Sequence, residues 1–516
     1  MNLSTLNTKN AEANSKAISR FIKSVIGLML LLVFNAVLSF GQTTYTWNGG
    51  ATASWAAAAS WSPTRTTPAT NDILVFNNGI TITPTAVPTQ TVGQLSVSGN
   101  TTVNLQAGAA STVLTIGAGL AGADLSVLSG SQLNINGTNS LQINVSTGNT
   151  GSIAGNMSFT NGAHTLTATD ASGITFTSPS VFTAGTGFSG NAFGSGTNNS
   201  VIFATGTTYT AQAGANPFQK TQPNSVVVFQ TGSLYKHQVA SAPSASGRTY
   251  SNFQYDVAST QSSTGASAFV CDNLTVTQGS FTLGMTGTPG HSIKGNISVS
   301  VGATLAFNPS TAGTMNFNGS TSSQTVTNAG TLSFGANEAI VIANTASTPS
   351  VTFNQAQTIA GSVTVNSGSI LAIGGGTLTT SSGATINGSF QINPGGFATG
   401  GTWTYGAAGT LIYNTTSNFG ENGSAYWPTT NGPVNVSNTG TGGMTLNVPR
   451  TVSGTCTVQN GGISNANNLT LNGTAQINSG GFFNGSPNYG SSSTLIYNTG
   501  GSYGNGSEWT GGASVT

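Results

Sequence analysis

The sequence has little charge. Lys, Arg, Asp and Glu make up 4% of its 516 residues, against roughly 25% in an average globular protein. No basic patch exists to neutralise a run of phosphates, so nucleic acid is not expected as a partner. Cysteine is scarce too. Cys271 and Cys456 are the only two, which excludes a small disulfide scaffold. The 71 glycines follow no triplet period, which excludes collagen. Helix signals are nearly missing beyond the N-terminal segment, where no i, i+3, i+4, i+7 apolar pattern is sustained. No later stretch approaches the roughly 18 consecutive apolar residues of a membrane span. Yet 37% of residues are hydrophobic, which is too apolar for a disordered tail. Such a chain has enough apolar side chains for a core, and must cover its surface with Thr, Ser, Asn and Gly.

The first segment reads as a secretory signal. Lys9, Lys16, Arg20 and Lys23 form a basic stretch, an apolar run follows from Val25 to Phe40, and Ser39 and Gly41 supply small residues for cleavage. Cleavage after Gly41 would start the mature chain at Gln42. That chain keeps six Lys/Arg against eight Asp/Glu, a net charge of about −2. It is expected to be secreted or at the cell surface, and not membrane-spanning.

The strand signal is short-ranged. Leu125 and Val127, Leu133 and Ile135, then Leu141 and Ile143 are apolar i, i+2 couples spaced eight residues apart. Each reads as a short strand with both members facing inward. Asn-Gly pairs such as Asn136-Gly137, Asn161-Gly162, Asn387-Gly388 and Asn472-Gly473 punctuate the chain and suit corners that need positive φ. Val363, Leu371, Leu378 and Ile386 step by 8, 7 and 8 residues, so three sides close a coil after 23. The expected fold is all-β: a right-handed parallel β-helix of roughly 20 coils. Stacked hairpins or a two-sheet sandwich are the alternative.

Longer repeats overlie this period. Thr410-Leu411-Ile412-Tyr413-Asn414-Thr415 returns 84 residues later as Thr494-Leu495-Ile496-Tyr497-Asn498-Thr499, and Trp427 finds a counterpart in Trp509. Gln-Thr-Val/Ile occurs at 90–92, 324–326 and 357–359, with Arg450-Thr451-Val452 as a variant. Superposing the last two puts Cys456 where Val363 stands, in an inward apolar slot. With eight or so coils between the cysteines, two free buried thiols are expected. The organisation reads as a signal over 1–41, an N-terminal cap and first coils over 42–100, and solenoid over 101–215. A less repetitive, charge-richer insertion follows over 216–272, then solenoid repeats over 273–516. Residues 512–516 resemble the strand that opens the next unit, which suggests a fragment of a longer protein.

Two regions carry a family resemblance. Thr44-Tyr45-Thr46-Trp47-Asn48-Gly49-Gly50, Trp55, Ser60-Trp61-Ser62-Pro63 and Asp72-Ile73-Leu74-Val75-Phe76 look like the first segment of autotransporter-passenger-like β-helices, with Ser60-Trp61 where that segment reads Asn-Trp. The unit from Leu411-Ile412-Tyr413-Asn414 through Tyr426-Trp427-Pro428 to Arg450-Thr451-Val452-Ser453-Gly454 resembles repeats of large proteins exported by the type IX system. So does the stretch from Val226 to Asp256. The resemblance implies an extracellular repeat-rich surface protein, an N-terminal cap at 44–76, and a C-terminal sorting domain that this sequence lacks.

Chemistry is hard to find. Glycan cleavage needs paired carboxylates, or a base beside metal-binding acids. Asp72, Asp124, Asp170, Asp256, Asp272, Glu338, Glu421 and Glu508 are all more than ten residues apart. His164, His237 and His291 are isolated and lack metal-ligand spacing, so no metal and no cofactor are expected. The charge-richer stretch holds Lys220, Lys236, His237, Arg248, Asp256 and Asp272. It reads as a solvated insertion tied by Arg248–Asp256 or Lys236–Asp256 pairs, or else as a ligand-contact site. Tyr426 and Trp427 could stack on sugars or pack a loop onto the wall. The leading expectation is a non-catalytic structural or adhesive stalk, with extracellular glycans or cell-surface matrix as partners. The alternative is a secreted carbohydrate-active protein that binds or cleaves polysaccharide.

Overall fold

In the computed structural model, Ser19 and residues 42–117, 122–346 and 348–509 are described. The signal segment, apart from Ser19, and the closing strand read over 512–516 lie outside the described residues. No helix among the described residues is long and apolar enough to cross a membrane.

The three apolar couples seed three separate faces. Leu125–Val127, Gln132–Ile135 and Leu141–Val145 are consecutive strands, each with buried and half-buried residues alternating. Each strand lies parallel between its counterparts on the coils before and after. Leu125 sits between Leu95 and Gly151, Leu133 between Val103 and Met157, and Ile143 between Leu114 and Leu166. The result is a β-solenoid of about 18 turns. Side chains of like position stack into columns along its interior, and the alternation of a β-strand sends their neighbours outward. Hairpins are not the building unit: every strand pairing is parallel but one.

That exception is the cap. Trp61–Ser62 runs antiparallel against Thr44–Trp47, on the edge opposite Ile73–Phe76. It occupies the edge that the first rung would otherwise leave open. Trp47, Trp55 and Trp61 converge on Phe76 with ring centroids 5.5–5.9 Å from it, and all four are buried. Arg65 bonds Asp72 at 2.7 Å beneath them.

The coil is not a constant 23 residues. Val363 lies beside Ala384 and Val365 beside Ile386, so the chain returns after 21 there. Both Val363 and Val365 face inward, and an i, i+2 couple leaves the return ambiguous by two residues. Leu371 stacks on Phe390 after only 19, whereas Leu95 stacks on Leu125 after 30. Corners absorb the difference.

The stretch over 216–272 is not an excursion from the rod. The second face runs through it unbroken, Leu234–His237 on Asn252–Gly265 and on to Leu274–Met285, while the first-face sheet ends at Val227–Phe229 and a new one starts at Arg248–Thr249 and continues through Phe269–Cys271. It reads as irregular for two reasons. Among the described residues the third face has no strand between Thr165–Ala168 and the second half of Asn252–Gly265; turns carrying Phe188, Phe193 and Phe218 fill that side. Aromatic rings also replace aliphatic side chains. Phe182, Tyr209, Tyr235, Phe253 and Phe281 form a continuous stacked column, with successive centroids 5.3, 5.4, 5.6 and 5.7 Å apart.

The uncharged surface is tied by side-chain ladders. Asn134 donates to Asn104 at 2.9 Å and accepts from Ser158 at 2.6 Å, each one coil away. The Gln-Thr-Val/Ile motif has a distinct task at the corners. Gln324 is fully buried and donates to the carbonyls of Ile293 and Gly295, at 2.8 and 2.7 Å. Gln357 does the same for Leu332 at 3.1 Å. A buried carbonyl without a ladder partner would otherwise be costly.

Candidate functional site

The charged residues singled out between 236 and 256 do not converge. Lys236 and His237 are neighbours on one strand, so they leave it on opposite sides. Lys236 points outward and its Nζ lies 2.8 Å from Asp256 Oδ2. Asp256 also accepts from Gln238 at 2.8 Å, Thr277 at 2.6 Å and Gln278 at 3.0 Å. Desolvation pulls its carboxyl upward, but the hydrogen bonds from Lys236, Thr277 and Gln238 outweigh this and hold it far below the usual carboxylate range. Its acceptor capacity is used by the protein itself.

His237 lies inside the wall. Its Nε2 donates to the Ser241 carbonyl at 2.8 Å, and Tyr235 donates to its Nδ1 at 3.4 Å. Burial lowers its pKa, so the ring is neutral at pH 7. Arg248 is also buried, over the Phe218 ring at 5.3 Å, with its guanidinium bonded to Ser244 and to the Lys220 carbonyl. Of the two ion pairs expected here, Lys236–Asp256 forms and Arg248–Asp256 does not.

Tyr426 and Trp427 are not a sugar platform: both are buried, at 0% and 1% exposure. They close a buried network that sequence reasoning missed. Glu421 ends a third-face strand and is fully buried. Its Oε1 accepts from Arg450 at 2.6 Å and from the backbone N–H groups of Gly423 and Ser424 at 2.9 and 2.8 Å. Its Oε2 accepts from Tyr426 at 3.1 Å and Tyr413 at 3.3 Å. Burial pulls the carboxyl upward, and the bonds from Arg450 and Ser424 hold it below its ordinary value. Trp427 lies 5.8 Å from the Arg450 guanidinium, and Tyr405 donates to the Tyr426 carbonyl at 2.7 Å. The network pins the long corner 422–434 to the wall. Tyr497, the repeat counterpart of Tyr413, donates to the buried Glu508 at 2.8 Å, but the repeat carries Glu421 onto Asn505, so the sequence does not align the two acids.

A second buried pair crosses two coils. His291 Nδ1 lies 2.9 Å from Glu338 Oε1, with both side chains fully buried. Met285 N–H donates to Nε2, so the ring carries its proton on Nδ1 and donates it to Glu338. Among the described residues no three His, Cys, Asp or Glu side chains gather as metal ligands. Cys271 and Cys456 are free and buried, and burial pushes the Cys456 thiol up to about 12.

One open groove is lined by polar groups. It encloses about 540 Å³ and is lined by Asn252, Asp272, Asn273, Lys294, Asn296 and the Ser320–Ser323 turn, among others. Asp272 stood in the charge-richer stretch but Lys294 did not, and nothing in the sequence shows that their corners stack. No family model, curated protein or solved structure matches this chain.

Proposed function

We propose that this chain is an exported, non-catalytic structural or adhesive repeat protein that acts as a stiff extracellular stalk. The observation that carries the reading is where its few charges go. Arg65–Asp72, Lys236–Asp256, His291–Glu338 and Arg450–Glu421 are all engaged within the wall or core. These groups hold rungs and corners together. A continuous interior and a hydrogen-bonded, nearly uncharged exterior suit a spacer whose use is geometric. The basic and apolar order of residues 1–41 supports export, and the autotransporter-like and type IX-like motifs support a place at the cell surface.

The test is incubation of the purified chain with a panel of neutral and acidic polysaccharides, with and without calcium, read by reducing-end or unsaturated-product release. The proposal expects no turnover. Turnover that a substitution in the chain abolishes would make the protein a carbohydrate-active enzyme instead.

A further inference from the structure

The groove around Lys294 follows from the lengths of successive corners. The turn between the first and second faces spans two residues at Tyr250-Ser251 and two at Asp272-Asn273, then three at Lys294-Gly295-Asn296. It is longer on either side: four residues at 230–233 and six at 318–323. Short corners make a floor and long ones make walls. Three floor layers between the two walls, at roughly 4.8 Å per layer, leave a trough on the order of 15 Å long.

The floor is built and polar. Gly232 N–H donates to Ser251 Oγ, which donates to Asp272 Oδ2, both at 2.8 Å. Asn273 donates to Asn252 at 2.7 Å, and its own Oδ1 takes the Asn296 N–H at 2.7 Å. These bonds fix the floor groups in place. Lys294 stands apart. Arg65, Lys236 and Arg450 have acidic partners, and Lys220 and Arg248 bond hydroxyl, amide or carbonyl oxygens. Lys294 is exposed and makes no ion pair or side-chain hydrogen bond among the described residues. It does not close onto Asp272, so an ammonium and a carboxylate face one trough unpaired with each other.

We infer that this groove binds an acidic oligosaccharide, with a uronate-type carboxylate on Lys294 and sugar hydroxyls on Asp272 and the asparagine amides. The trough's lining has no apolar or aromatic side chain to receive a peptide's side chains or to stack a neutral sugar. It offers hydrogen bonds and one cation, which match a hydroxyl-rich ligand that places one of its carboxylates on that cation. The inference adds a ligand to the stalk and does not depend on it.

The test is calorimetric titration of the full chain with tetragalacturonate and with its methyl ester, alongside the variants Lys294→Gln and Asp272→Asn. Saturable binding is expected for the acid, with the ester and Lys294→Gln each about two- to fivefold weaker. Asp272→Asn is expected to weaken both ligands alike. Lys294 is exposed, so its variant keeps the wild-type melting temperature. Absence of saturation up to about 10 mM, or unchanged binding by Lys294→Gln, would overturn the inference.

Discussion

At the scale of single residues, the polar groups that matter most are the buried ones. Glu421 is fully buried with five donors, and removing it strands the Arg450 guanidinium. Breaking a buried pair in this way costs roughly 3–5 kcal/mol. Glu421→Ala is therefore expected to lower stability by about that amount and to free the corner 422–434. Equilibrium denaturation and the red shift of Trp427 fluorescence would show it. Lys236→Ala removes a part-exposed pair and should cost no more than about 1 kcal/mol. On the acid side of neutrality the pH dependence has one sign. Burial lowers His164 and His237, so below the ordinary histidine value of about 6.5 the unfolded chain binds protons that the folded chain refuses. Asp256 and Glu421, also held low, add stability above the ordinary carboxylate range that is lost as pH falls through it. Melting temperature should thus fall from pH 7 to pH 5 and again below about pH 4.5, and His237→Gln should flatten the first step. The thiols of Cys271 and Cys456 should resist Ellman's reagent until the protein unfolds. Their inward placement was legible from the alignment of Cys456 with Val363. The Glu421 network was not, because it joins residues up to 29 apart whose meeting depends on one corner's path.

At the scale of elements, the alternation of apolar couples was enough to read strands and faces, since the i, i+2 period is set by the pleat itself. The coil length was not fixed by the same pattern: Val363 and Val365 both face in, and corners vary freely. The Asn-Gly turns also do two jobs where the sequence suggests one. Asn161 and Gly162 both have positive φ, at 59° and 107°. Gly388 does not. There a Cβ would lie 2.3 Å from the carbonyl oxygens of Asn366 and Ser369 on the preceding coil. Glycine is needed at that corner because stacked backbones touch. Gly388→Ala should therefore destabilise by more than about 1 kcal/mol, whereas an exposed wall substitution such as Thr385→Ala should lie within about 0.5 kcal/mol. The aromatic column is the other element-scale device. Tyr209 stacks between Phe182 and Tyr235 where the third face has no strand, so its ring fills space a rung would occupy. Tyr209→Ala is expected to cost about 3–5 kcal/mol, measured by denaturant unfolding.

At the scale of the whole molecule, each coil packs mainly on its neighbours, with His291–Glu338 reaching one coil further, so stability and stiffness come from a series of local interfaces. The cap of three tryptophans closes one end, and the stretch over 216–272 keeps the series intact where the sequence looked interrupted. A spacer needs that continuity. With about 18 turns at roughly 4.8 Å each, the rod should be about 90 Å long. A globule of about 470 residues would instead have a radius of gyration near 23 Å and a span of about 60 Å. Small-angle X-ray scattering of the purified chain from Gln42 onward separates the two most directly. The stalk account predicts a rod-like distance distribution with a long tail ending near 90–100 Å. A symmetric distribution ending near 60 Å, or one with two peaks from a bend at 216–272, would contradict it.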